Sequence, residues 1–119
     1  LILCVDDEEH IITSTTIQLE AKGYEVISAY NGAEALSVFT KRKSDIDLVI
    51  TDFSMPVMNG PTLIKSIREL APGTNVILCT GIETEENLQG LEGLEINATM
   101  FKPFSAATLF ESIEEVLRD

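Results

Sequence analysis

Basic residues are scarce in this chain. Lysine and arginine number 8 against 20 aspartates and glutamates, and the formal net charge is −12. Such a balance argues against direct binding to nucleic acid, which needs a basic face, and against anionic lipid surfaces. It suits a bound cation or a basic partner, or plain solubility. Long apolar runs are also missing: none approaches the ~18 residues of a membrane span. No cationic leader precedes the first apolar run. The reading is a cytoplasmic domain that makes no membrane contact of its own. Cysteine is limited to Cys4 and Cys79, each inside a Val/Ile/Leu run. Both read as small buried hydrophobes, and no Cys or His spacing suggests a disulfide or zinc. The lone histidine, His10, stands beside a cluster of acids and reads as a surface helix residue.

What is present fits one compact domain over 1–119,. The hydrophobic fraction of 45% and charged fraction of 24% are those of a globular protein,. Because the chain opens on Leu1 rather than Met, it is read as a domain excised from a longer protein. Leu1–Val5, Leu48–Ile50 and Val76–Cys79 are apolar throughout, as strands buried on both faces of a parallel sheet are,. Tyr24–Ala29 is a milder strand, and Thr99–Phe101 a fifth. Helical patterns lie between them over Glu9–Lys22, stopped by Gly23, over Ala33–Lys43, and over Pro61–Leu70 with proline in the first turn,. Ser105 suits the N-cap of a last helix bearing Leu109, Ile113 and Val116,. The segment 84–94 contains Gly90 and Gly93, each costing about 1 kcal/mol in a helix interior,. A short or mobile helix is expected there. Strand–helix alternation repeated five times predicts an α/β fold, a parallel sheet with helices on both faces.

In open α/β sheets, ligands bind beyond the carboxyl ends of the strands. In VITDFSMPVMNG, at 49–60, a β-branched run stops at Asp52. The first strand ends in Asp6-Asp7, the fourth in Thr80 and the fifth in Lys102. Singly, each has a bland explanation. Asp is a turn residue, Thr fits a strand, Lys before Pro is a solvated surface residue, and Asp6-Asp7-Glu8-Glu9 favour a helix N-terminus. Together they place three carboxylates, a hydroxyl and an ammonium on one sheet edge. Close carboxylates repel, and at least one pKa rises unless a cation compensates. Oxygen ligands of this kind suit Mg²⁺, which commonly takes a phosphate oxygen as well. An aspartate can accept a phosphoryl group, with Lys102 and Thr80 placed for its oxygens.

The motifs VDDE at 5–8, NGAEAL at 31–36, TDFSMPVMNG at 51–60, ILCTG at 77–81 and KPF at 102–104 run in order along the whole chain. In this the sequence resembles the CheY-like receiver (response-regulator) domain of two-component signal transduction. That resemblance implies a flavodoxin-like (βα)5 three-layer sandwich with a parallel five-stranded sheet of order 2-1-3-4-5. It implies that Asp52 is the phosphoacceptor, charged by a phosphohistidine of a histidine kinase or histidine phosphotransfer domain. It further implies that Asp7 and Asp52 bind Mg²⁺ directly, that Asp6 acts mainly through water, and that Ser54 offers its backbone carbonyl. Thr80 is implied as the switch hydroxyl, Lys102 as the ion-pair partner of the phosphoryl group, and Lys102-Pro103 as a cis bond. The output surface would combine the 84–94 segment, the fifth strand and the last helix, and the 84–119 face is the candidate surface for a homodimer.

Two positions depart from the pattern. Thr99 stands where many receivers carry an aromatic residue, and Glu95 stands near where they usually carry a glycine. Rival readings are a non-phosphorylated interaction module on the same fold and an aspartyl-phosphate hydrolase. The hydrolase usually pairs its acids two apart after the first strand, whereas here they are adjacent. A flavin carrier fits worse, because the loop after the first strand is acidic. Self-catalysed phosphotransfer and autodephosphorylation, and attachment to a hybrid sensor histidine kinase or to a DNA-binding regulator, stay open.

Overall fold

The computed structural model describes residues 1–81 and 93–118. In chain order the described elements are β1 (Ile2–Val5), α1 (Glu9–Ala21), β2 (Val26–Ala29), α2 (Gly32–Arg42), β3 (Leu48–Asp52), α3 (Gly60–Leu70), β4 (Asn75–Thr80), β5 (Ala98–Phe101) and α4 (Ala106–Leu117). The strands form one parallel sheet in the order β2-β1-β3-β4-β5. The expected order and flavodoxin-like architecture are therefore those observed.

The apolar strands are buried on both faces because successive side chains point to opposite sides. Leu3 and Val5 of β1, Val49 of β3 and Val76 and Leu78 of β4 join Phe39, Leu63, Ile64 and Ile67 under α2 and α3. Their neighbours Ile2, Cys4, Leu48, Ile50, Ile77 and Cys79 join Ile12, Leu19, Leu109 and Ile113 under α1 and α4. Both cysteines are free and buried. Burial pushes the Cys4 thiol up to about 12 and raises that of Cys79 as well, so neither is a thiolate at neutral pH,.

Helix ends follow local chemistry. Asn31, Asn59 and Ser105 each accept a hydrogen bond from the backbone N–H three residues on, capping α2, α3 and α4,. Gly23, at φ +92°, turns the chain out of α1,. The short helix expected over 84–94 falls outside the described residues but for its last two. Gly93, at φ +82°, supplies the left-handed residue two positions before Glu95, which itself does not hold a positive φ. From there the chain is tied to α3. Arg68 donates to the carbonyls of Glu95 at 2.7 Å and Pro72 at 3.1 Å, to that of Thr74, and to Asn97 Oδ1 at 3.2 Å. Asn97 Oδ1 also accepts from Val76 N–H at 2.8 Å. This network sets the start of β5, the strand that delivers Lys102.

Phe39 of α2 is fully buried in the core on the α2 and α3 face of the sheet. Phe39→Ala is expected to lower unfolding free energy by about 3–5 kcal/mol, a large part of the ~5–15 kcal/mol typical of a domain. A urea titration followed by far-UV circular dichroism measures it.

Candidate functional site

Strand register explains why distant residues meet. Val5 pairs with Thr51, so Asp6 and Asp52 emerge side by side one residue later. Asp52 pairs with Cys79, which brings Thr80 one step beyond it on β4. Thr80 pairs with Phe101 of β5, and the Lys102 N–H donates to the Thr80 carbonyl at 2.8 Å. All these ends point the same way because the strands are parallel.

At this edge the Lys102 Nζ donates to Asp6 Oδ2 at 2.8 Å and lies 3.0 Å from Asp52 Oδ1. Asp6, Asp7 and Asp52 each offer a carboxylate oxygen, and the three oxygens lie within 4.8 Å of one another. Asp6 and Asp52 are buried, whereas Asp7 is exposed. The other oxygen of Asp6 accepts the Glu8 N–H at 3.0 Å, which fixes that carboxylate at the mouth of α1. Burial raises the Asp52 carboxyl above its ordinary value. The Lys102 hydrogen bond only partly offsets this, and the Asp6 charge adds to the rise,. Burial alone would lower the Lys102 ammonium. Its hydrogen bonds to Asp6 and Asp52, and their charges, outweigh that and raise it. Three carboxylates facing one ammonium leave the cluster negative, and its all-oxygen donor set suits a hard divalent cation.

Of the residues singled out in the sequence, Asp6, Asp7, Asp52 and Lys102 come together in this cluster. Thr80 is buried at the adjoining strand end, and Ser54 lies exposed on the loop two residues after Asp52. The Lys102-Pro103 bond is cis. Thr99 is exposed on β5, and so is Phe101, 56% accessible two residues on. His10 is exposed, as expected.

Several supporting residues were not foreseen. Gly32 at the start of α2 packs against Met58, and Val57 holds a positive φ of 70°. A recognisable signal existed for the first: Asn-Gly occurs at 31–32 and again at 59–60, each time as N-cap and first helical residue. No comparable signal marks Val57.

These features define a receiver domain, and the chain belongs to that family: the model of the response regulator receiver domain matches residues 2–114. Over 116 residues it is 30% identical to the sensor kinase CckA of Brucella abortus, covering 98% of this chain and 12% of that protein. Over 119 residues it is 34% identical to PhoP of Bacillus subtilis, the alkaline phosphatase synthesis transcriptional regulatory protein, covering 98% of this chain and 48% of the relative. The chain thus spans less than half the length of either relative. Among solved structures, a response regulator receiver domain protein from Clostridium thermocellum is 34% identical and superposes with a TM-score of 0.88, covering 98% of this chain and 92% of that one.

The raised Asp52 carboxyl has a consequence for the metal-free fold. A group whose folded pKa is raised contributes stability below its unfolded pKa and loses it as pH rises through the folded value. At pH 7 the Asp52 charge therefore costs stability. Asp52→Asn is expected to raise the urea midpoint at pH 7 in EDTA, and the gain should shrink as pH falls through the carboxylate range. An unchanged or lowered midpoint at pH 7 would contradict this.

Proposed function

We propose that this domain is a phosphorylation switch in which Asp52 accepts a phosphoryl group from a phosphohistidine. The single observation that carries the reading is Lys102 held within 3.0 Å of carboxylates from two different strands, with a third carboxylate beside them. Receiver domains work with kinases or phosphotransfer partners, and the donor inferred here is a histidine kinase or a histidine phosphotransfer domain in the cytoplasm. Among the described residues no helix is long and apolar enough to cross a membrane.

In the transfer, an Asp52 carboxylate oxygen attacks phosphorus, the P–N bond of the phosphohistidine breaks, and the imidazole leaves with the electron pair. Asp6, Asp7 and Asp52, with the Ser54 carbonyl, would hold Mg²⁺, which when bound neutralises negative charge on the phosphoryl oxygens. The Lys102 ammonium already touches the acceptor and can shift its hydrogen bonds to the incoming oxygens without leaving the site. Thr80, at the end of the neighbouring strand, is assigned the hydroxyl contact. The product carries about 1.5 to 2 added negative charges. Contacts of Lys102 and Thr80 that exist only in that state bias the domain toward its output conformation. The match to a sensor kinase favours attachment to a histidine kinase, while the match to PhoP fits attachment to a transcriptional regulator.

Acetyl phosphate supplies the same chemistry: the aspartyl O–P bond forms, its own P–O bond breaks, and acetate leaves. With Mg²⁺ present, intact-mass measurement should show one phosphoryl addition, absent from Asp52→Asn and abolished by EDTA. No addition to the wild-type protein, or an undiminished one in Asp52→Asn, sinks the reading.

A further inference from the structure

The loop between Asp52 and α3 is gripped from two sides. Gly60, the first residue of α3, presses on the Asp52 end: a Cβ there would overlap the Asp52 carbonyl oxygen and lie 3.1 Å from the Phe53 Cα. The Gly60 N–H also donates to the Phe53 carbonyl at 2.9 Å. Gly32, the first residue of α2, presses on the far end. A Cβ there would lie 2.5 Å from the Met58 carbonyl oxygen, 2.7 Å from its Cβ and 2.8 Å from its Cγ. Gly32 does not hold a positive φ, so glycine is not required there for backbone conformation. Glycine also costs about 1 kcal/mol against alanine in a helix interior. What the position requires is the close approach.

Between the two grips the loop is strained. Met58 N–H donates to the Pro56 carbonyl at 2.7 Å, closing a three-residue turn about Val57 at φ +70°,. A β-branched residue at positive φ is a genuine outlier and persists only where its surroundings over-determine it. Val57 cannot be held by its own side chain, which is 83% exposed. The hold comes from the loop's ends.

We propose that Gly32 is a positioning residue for the site, acting through the Met58 backbone to fix the loop that carries Ser54 away from Asp52. The three atoms nearest a Cβ at position 32 all belong to Met58, none to the acids or Lys102. The inference rests on the reading of Asp52 and Ser54 given above. Any side chain at position 32 pushes Met58 away. The loop, already strained at Val57, takes up the displacement, and misplacement by about 1 Å can cost on the order of 100-fold in rate.

The test compares Gly32→Ala with two glycine controls. Gly23→Ala has no atom within 4 Å of the new Cβ but sits at φ +92°, so it loses stability away from the site. Gly73→Ala has open space and no positive φ. Without metal, backbone amide chemical shifts of residues 52–55 and 57–59 should move in Gly32→Ala and stay put in both controls. Calorimetric titration should show Mg²⁺ affinity at least about 10-fold weaker in Gly32→Ala, and acetyl phosphate labelling slowed on the order of 10- to 100-fold. Should Gly32→Ala fail to fold, Met58→Gly strips the side chain from this contact and frees the Met58 backbone, and should also weaken Mg²⁺ binding,. A folded Gly32→Ala, or in its place a folded Met58→Gly, that matches wild type in Mg²⁺ affinity and labelling overturns the role. A wild-type protein that neither binds Mg²⁺ nor takes a phosphoryl group overturns the reading of the site itself, and this role with it.

Discussion

One ammonium joined to two carboxylates organises this molecule. Lys102 lies 96 residues along the chain from Asp6, yet they meet at 2.8 Å, with Asp52 at 3.0 Å on the other side. Two buried acids side by side would repel and could not both stay charged without a cation. Lysine is that cation, and the parallel sheet, in which β1, β3 and β5 end on the same side, delivers all three groups to one edge. The compensation is incomplete, since the Asp52 carboxyl remains raised. A site left negative after its own lysine is counted is one prepared for further positive charge. A cation and the lysine can then share the oxygens of an incoming anionic group.

Sheet order and site thus answer the same constraint, which is why so much was legible in the sequence. Apolar strands ending abruptly in Asp6, Asp52 and Thr80 announced both the sheet and its functional edge. Strand period did the rest, sorting Ile2 and Cys4 to one face and Leu3 and Val5 to the other. Gly23 and Ser105 were readable because turn and cap chemistry is local. Expected helix ends differed from those observed by a residue or so, since Asn31 caps α2 and the helix begins at Gly32, one position before the first alanine.

What stayed hidden was contact between parts that local patterns do not connect. Nothing along 61–70 says that Arg68 will reach the carbonyl of Glu95, because that acceptor is a backbone atom and carries no sequence signature. The same holds for Gly32 against Met58. A glycine at the first position of a helix reads as tolerated, and only the tertiary approach shows that it is required. Val57 is the extreme case. Its residue type argues against the conformation it adopts, so any local rule assigns it wrongly. Such a conflict between local preference and observed geometry is expected where a site imposes the conformation.

The placement of rigidity then follows a division of labour. The acids and the lysine sit at strand ends, where a sheet buried on both faces fixes their backbone. The loop after Asp52 has no such lattice, for it crosses from β3 to α3 through Ser54, Pro56 and Val57, which are exposed. Its precision is borrowed from helix starts, where Asn31-Gly32 and Asn59-Gly60 combine an N-cap with a residue that admits close backbone approach. The cap fixes where the helix begins, and the glycine lets that fixed point bear on the loop. A loop held this way is fixed by backbone contacts rather than by flexible side chains.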